Sequence, residues 1–509
     1  MVEIELPRLS DHREDIPLLE CFFIEQIRGQ YGKAIKGITP RAQIVLARYV
    51  GRATSERCIA VIRSGGRRRM NLRSRSIRGV LWVCVLVLLA GEACTRSSKS
   101  PAGITLTLID QSWVDKESQG RINEELRQFT RSSGIPVEVL PAPETAVEQL
   151  ATWSKLLESG ASVPDVYAID VIWPGILANE LLDLKSYIPG QEIAAHFPEL
   201  IANNTVNGRL VALPYNTSAG LLFYRVDLLR QYGYGAPPKT WEELQVMAAR
   251  IQSGQRFKGN KDFWGYVWQG APTEALTCNA LEWQVSEGGG AIIENGTVTV
   301  DNLQTVHAWE RAARWVGSIS PPGVVEYKEW DAFNIWQAGQ AAFMRNWTSA
   351  YVAASATGSP TRGKFEVAPL PKGRAGSAAT LGGNGYGVSR HSLHPREATM
   401  LVRFLCGREE QRRRCLSSAQ PATIPDLFND TNVMAANPYF STVLDVYREG
   451  LTMRPSTAAG KTYAEVSRAY YDAVHAVLTG KKTGAEAAAA LQGELVHMTG
   501  LKGRSEKSR

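Results

Sequence analysis

Asp170 closes the apolar run DVYAID (165–170), and Trp173-Pro174-Gly175 follows it at once. In open α/β sheets ligands sit beyond the carboxyl ends of the strands, so a carboxylate there can face a crevice instead of the core. A carboxylate accepts hydrogen bonds, and an indole offers a flat apolar face. Together they suit a ligand with C–H faces rimmed by hydroxyls. The plainer role for Asp170 is to cap the helix that starts a few residues later. Trp113, Trp173, Trp268, Trp283, Trp336 and Trp347 lie outside obviously periodic helices and are candidate platforms, each with core packing as its alternative. Trp347 stands out, because FMRNW places it just past an apolar strand end.

Other constellations are decoys or rivals. PSTAAGKT (455–462) imitates a phosphate-binding loop, but Pro455 stands where the first glycine must be, and Gly460-Lys461-Thr462 reads as a helix entry. GGNGYG lacks dinucleotide spacing, no G-x-S-x-G occurs, and His391 and His394 fall in a loop-like RHSLHP. No Cys-x-x-Cys or Cys/His metal spacing exists, so neither metal nor cofactor is expected. Glu117 with Asp170 could form the carboxylate pair of a glycan-acting enzyme, about 5–10 Å apart.

The elements around these residues alternate. ITLTLID (104–110), IPVEVLP (135–141) and DVYAID read as strands, separated by the helices GRINEELRQFTRSSG and AVEQLATWSKLLESG, with GILANELLDL as a third helix. Such alternation predicts parallel pairing in an α/β layer. RLVALPY and GLLFYR read as two further strands, followed by a helix in VDLLRQYG. PPKTWEELQVMAARI opens a helix with the Thr240/Glu243 capping pattern. AIIENGTVTV reads as a hairpin turning at Asn295-Gly296. WQAGQAAFMRNW (336–347) reads as a helix leading to a strand, GGNGYGVSR as a glycine-rich strand, and REATMLVRFLC as a helix. The Pro-punctuated stretches VAPLPKG and QPATIPD (420–426) read as crossings between two lobes, which implies a cleft and a hinge.

The 509-residue chain carries a formal charge of +7, which would suggest a nucleic-acid partner. Its distribution removes that reading. Residues 1–99 hold 18 Lys and Arg against 9 Asp and Glu, and the rest hold 39 against 41. The excess precedes an 11-residue apolar run (Val80–Ala90) and the small-residue exit Ala93-Cys94. That is the layout of a secretory signal peptide, too short to span a bilayer comfortably as a helix. Cys94 stands where a lipidated cysteine would anchor the chain to the membrane surface, although Gly91 replaces the usual leucine. Cleavage after Ala93 without lipidation would release the chain instead. In an oxidising envelope, Cys406 and Cys415 could pair as a disulfide or stay as buried thiols.

Two resemblances follow. REDIPLL and KGITPRA give residues 1–60 a resemblance to the small helical lid of sigma-54-dependent activator ATPases, with no nucleotide-binding core before it. This implies a fragment of a neighbouring gene or an upstream mis-start over 1–69, with Met70 as initiator. The alternative is a regulatory fusion. Further on, DVYAIDVIWPGILA, LPYNTSAGLLFYRVDLLRQYG, PPKTWEEL, AAFMRNW, KFEVAPLP and ATLGGNGYGVS occur in order. Residues 102–500 thereby resemble the extracellular solute-binding proteins of carbohydrate ABC importers, trehalose/maltose type.

That resemblance implies an α/β, two-lobe, type II periplasmic-binding fold with a hinge. Its lobes would be 102–213 with 371–428, and 214–370 with 429–502, after a signal peptide (70–93) and linker (94–101) and before a tail (503–509). It also implies a receptor that binds a carbohydrate and hands it to membrane permease subunits, without chemistry. By position it assigns ligand contacts to Asp170, Trp347, Arg454 (in TMRPST) and, more loosely, Glu117, and Gly383 of the glycine-rich strand is a further candidate contact. The family's Tyr-x-Asp is Asn216-Thr217-Ser218 here, and its tryptophan after LGG is Asn384. These exchanges put trehalose and maltose themselves in doubt and imply a smaller or more polar ligand, with Asn216, Ser218 and Asn384 as hydrogen-bonding replacements.

Overall fold

The computed structural model describes residues 103–111, 116–143 and 145–504, without the side chains of 116–118. The lid-like stretch 1–69, the signal segment 70–93, Cys94, the 94–101 linker, Trp113 and residues 505–509 lie outside the described residues.

The alternating runs become strand β1 (Leu106–Ile109), helix α1 (Lys116–Ser133), β2 (Val137–Leu140), α2 (Ala146–Glu158) and β3 (Val166–Asp170). β1 pairs in parallel with both β2 and β3, as crossover helices require. The chain continues through β4 (Leu213–Arg225), α3 (Trp241–Phe257), β5 (Trp264–Val267), α4 (Glu274–Glu287), α5 (Leu303–Trp315), α6 (Glu329–Gln337) and β6 (Ala341–Trp347). Then come β7 (Phe365–Ala368), β8 (Ala379–Val388), α7 (Pro395–Cys406), α8 (Arg408–Ser418), β9 (Leu451–Thr452) and α9 (Tyr463–Leu478). Among the described residues, β1–β9 form a sheet in the order β2-β1-β3-β8-β4-β6-β5, with β7 also on β4 and β9 also on β8.

Two long strands join the lobes. The first half of β4 runs antiparallel to β8, and its second half runs antiparallel to β6 and β7. β8 also pairs antiparallel with β3, placing Asn384 opposite Asp170. The register shifts where Asn384 faces Asn216 and Gly385 faces Pro214, leaving Tyr215 as an extra residue. Such a bulge bends and twists a strand; here it lies within the β4–β8 pairing, before β4 passes to β6 at Gly220. Gly383 has φ +116°, and a Cβ there would lie 2.5 Å from the Asn216 carbonyl oxygen, so only glycine fits.

The sequence predicts two strands between 209 and 225. The structure puts the break earlier: Arg209–Leu210 is a short separate strand, and Leu213–Arg225 is one strand, because the small residues Thr217-Ser218-Ala219-Gly220 continue the extended chain rather than turn it. GILANELLDL forms only a short helix, Pro174–Leu177, then a 3-10 turn, Ala178–Glu180. The helix stops because Leu181 bridges to Ser389 and the Leu182 N–H donates to Val388. The Asn295-Gly296 hairpin forms as expected, with φ +47° and +73°. Thr240 accepts from Glu243 N, while the Glu243 carboxylate reaches Lys239 N. Cys406 and Cys415 are free buried thiols. Gly407 turns α7 into α8 and puts them in separate packing sites, where each thiol donates to a carbonyl, of Leu213 and Gln420 respectively.

Apolar clusters cover both faces of the first sheet: Leu106, Leu108 and Val166 on one, Ile109, Tyr167 and Trp153 on the other. A larger core surrounds β4, β5 and β6. Trp268 meets Trp283 edge-to-face at 5.0 Å, and Trp283 meets Trp315 at 5.9 Å. Trp336 packs against Phe223 and Phe365. Trp268, Trp283 and Trp336 are fully buried in this core and are not platforms.

Candidate ligand site at the lobe-joining strands

A cavity of about 1160 Å³ opens where β4 and β8 cross. Asp170 and Trp173 reach it from the end of β3, Asn216, Thr217 and Ser218 from the middle of β4, and Gly382-Gly383 from β8. Trp347 enters from the end of β6, Glu274 from α4, and Arg454 and Tyr463 from the C-terminal segment. Of the sequence-derived site residues, Asp170, Asn216, Ser218, Trp347, Gly383 and Arg454 therefore share one cavity.

Asp170 does not cap the following helix. Its Oδ1 accepts the Ile172 N–H at 3.1 Å, a local turn, and Trp173 caps the helix without a side-chain bond. Burial raises the pKa of the Asp170 carboxyl, against the opposing pull of the Arg454 charge. Trp173 lines the cavity but is only 1% exposed and packs edge-on against Trp153 at 6.1 Å, so it is wall backing rather than an open face. Gly175 explains the Pro-Gly turn. A Cβ there would lie 2.3 Å from the Ser456 carbonyl oxygen, so glycine admits the 456–459 turn that brings Arg454 to the cavity.

Arg454 is held on two sides. Its Nη1 donates to Glu274 Oε1 at 2.8 Å, and its Nη2 to the Leu381 carbonyl at 3.0 Å. Glu274 also accepts from the Tyr463 hydroxyl and, at 2.5 Å, from Ser467 Oγ. Glu274 thus holds Arg454 while being held itself by Tyr463 and Ser467.

Trp347 stands on a buried cation. The Arg345 guanidinium lies 4.1 Å from its ring centroid, within cation–π range. Arg345 makes a two-pronged pair with Glu282, Nε to Oε2 at 2.9 Å and Nη2 to Oε1 at 2.5 Å, and both residues are fully buried. Glu282 Oε1 also accepts the Thr380 N–H of β8 at 3.0 Å. Gly220, opposite Trp347 in register, leaves room for this pair, since a Cβ there would lie 2.2 Å from Glu282 Oε1.

The replaced positions bind protein. Asn216 Oδ1 accepts the Asn384 N–H at 3.0 Å, tying the two lobe-joining strands together. Ser218 Oγ pairs with Thr348 Oγ1 at 2.7 Å, beside Trp347. Asn384 does not line the cavity. Its amide points to Gln111 Oε1, 3.5 Å away. Glu117 lies in the first turn of α1, and its side chain is outside the described residues. His391 pairs with Glu180 at 3.1 Å, and Lys461 of the loop decoy with Glu158 at 3.2 Å.

Residues 115–412 match the family model of the bacterial extracellular solute-binding proteins. The chain belongs to that family. Its members are binding receptors, not a family of enzymes. A probable ABC transporter-binding protein of Deinococcus radiodurans is 45% identical over 374 residues, 73% of this chain and 89% of that protein. The maltose-bound MalE3 of T. maritima is 35% identical, with a TM-score of 0.70 over 78% of this chain and 100% of that one. This likeness matches the two-lobe α/β fold read in the sequence. A separate, short likeness is to the transcriptional regulatory protein ZraR of Escherichia coli (strain K12), 45% identical over 49 residues, 10% of this chain and 11% of that protein.

For a solute-binding protein, the sequence reading missed what holds the contacts in place. Glu274, Tyr463 and the Arg345–Glu282 pair were not foreseen. One signal was available: a single arginine inside the apolar strand AAFMRNW needs a buried acid, and α4 supplies one in NALEW. Trp330, 63% exposed and lining the cavity, was also missed.

Proposed function

We propose that this solute-binding protein is the sugar receptor of an ABC importer, capturing a mono- or oligosaccharide between its lobes and delivering it to membrane permease subunits. The observation that carries the reading is the joint placement of Asp170, Arg454 and Trp347 around one cavity at the lobe-joining strands. An acceptor, a fixed multi-donor and an indole are the groups a hydroxyl-rimmed ring needs. The maltose-bound MalE3 relative and the ABC transporter-binding relative support it. In this reading the lobes are 102–213 with 371–428 and 214–370 with 429–502. The signal-like run before Cys94 supports an envelope location, with Cys94 as a lipid anchor or Ala93 as a cleavage point. Among the described residues no helix is long and apolar enough to cross a membrane.

The test is a thermal-shift screen against mono- and disaccharides, followed by calorimetry on Asp170→Asn. The reading expects at least one sugar to stabilise the protein, and Asp170→Asn to weaken its binding by about 1–3 kcal/mol, the worth of a hydrogen bond to a charged group. A panel without a hit, or an unchanged affinity, would contradict it.

A pH dependence follows. Sugar hydroxyls donate to the ionised Asp170, so binding favours the charged form and releases a proton. Burial holds the free protein's Asp170 pKa above the usual carboxylate value. Affinity should therefore be full above that raised pKa and fall below it, by up to about tenfold per pH unit. Calorimetry across the acid range should show this limb in the natural protein and its loss in Asp170→Asn. A limb that persists in the variant would assign the titration elsewhere.

A further inference from the structure

We infer that the cavity holds a second aromatic platform, Trp330, and that the ligand is an oligosaccharide long enough to reach from Trp347 to it. This rests on the sugar-binding reading and extends it to ligand length.

Three observations carry it. Trp330, near the start of α6, lines the same cavity as Trp347 yet is 63% exposed. Its ring meets Phe333 edge-on at 5.3 Å, and most of its surface stays uncovered. An exposed tryptophan at a cavity wall is a site for an apolar ligand face.

The two indoles are also mechanically linked. Asn346 is 3% exposed. Its Oδ1 accepts the Trp347 N–H at 2.8 Å, and its Nδ2 donates to the Glu329 carbonyl at 3.2 Å, one residue before Trp330. A single buried amide thus joins the backbones that carry both rings. Two flat faces in one cavity select a ligand by length as well as by ring chemistry.

The cavity's size and lining agree. Its volume of about 1160 Å³ exceeds the usual ~300–1,000 Å³ of small-molecule pockets. Val147, 81% exposed, and Val352, 36% exposed, line it together with Trp330. Exposed apolar groups gathered at one cavity give the C–H faces of further sugar rings something to cover.

The test is calorimetry on the full chain with maltose, maltotriose and maltotetraose, for the natural protein, Trp330→Ala and Trp330→Phe. Affinity should rise at least tenfold from maltose to maltotetraose. Trp330→Ala should abolish that gain while changing maltose binding less than twofold, and Trp330→Phe should restore part of it. Glucans that bind with no gain in length, or a Trp330→Ala loss equal for all three, would overturn the second platform and leave the sugar reading standing. If Trp330→Ala binds every glucan normally and fails only in uptake, the indole is a permease contact and the inference is wrong. Binding of no glucan would overturn the inference, while a hit elsewhere in the mono- and disaccharide screen would still uphold the sugar reading.

Discussion

Arg345→Met is expected to destabilise the fold by about 3–5 kcal/mol, the cost of leaving a buried charge without its partner. Arg345 and Glu282 are both 0% exposed, and Arg345 gives Glu282 two hydrogen bonds. With the guanidinium gone, Glu282 keeps the Thr380 N–H at 3.0 Å but loses its counter-charge. It must then protonate or draw in water, and Gly220 leaves little slack beside it. Gln269 also loses a contact, Arg345 Nη1 to its Oε1 at 3.3 Å. Urea unfolding at neutral pH measures the change. The double variant Arg345→Met/Glu282→Leu should recover most of it, because a buried pair replaced by packed apolar groups costs little. A single-variant loss below about 1 kcal/mol would show that the pair is not under the stress that its burial implies.

Trp347→Ala is expected to weaken sugar binding by about 2–4 kcal/mol, roughly 30- to 1,000-fold, as for truncation of a central aromatic anchor. The indole contributes apolar area that a hydroxyl-rimmed ring can cover on its C–H face. Arg345 beneath the ring, 4.1 Å from its centroid, limits how far the indole can tilt before ligand arrives. Little of the affinity is then lost to ordering it. Trp347→Phe should retain part of the affinity, since a smaller flat ring still stacks. Calorimetry with the tightest sugar of the screen decides. An affinity within twofold of the natural protein would remove Trp347 from the site.

The sequence made the architecture legible because its patterns are local. Period-two runs alternating with helices predict the parallel β2-β1-β3 unit, and that unit forms. The place of Asp170 at the cavity was readable for the same reason, since it ends a strand whose apolar run stops with it. Arg454 came from the family resemblance instead. The lobe-joining strands were harder. Thr217-Ser218-Ala219-Gly220 looks like a break, and only its partners show why small residues are needed: β8 on one side, the Glu282 carboxylate on the other.

The indoles were ambiguous for a related reason. Trp283 and Trp347 are equally apolar in sequence, but one is sealed by Trp268 and Trp315 while the other faces a cavity. Exposure is a property of the packed chain, not of the residue. The same holds for Asn216 and Ser218, which line the cavity while also bonding the protein, Asn216 to the Asn384 N–H and Ser218 to the Thr348 hydroxyl. The supports of the site were least legible. Glu282 is 63 positions from Arg345, and Glu274 is 180 from Arg454, separations that no local pattern encodes.

The most direct test is a crystal structure of the protein grown with the tightest-binding sugar of the screen. The account predicts one sugar between the lobes, with hydroxyls within hydrogen-bond distance of the Asp170 carboxylate and the Arg454 guanidinium, and a ring face against Trp347. A sugar bound outside this cavity, or inside it without contact to any of the three, would contradict the account.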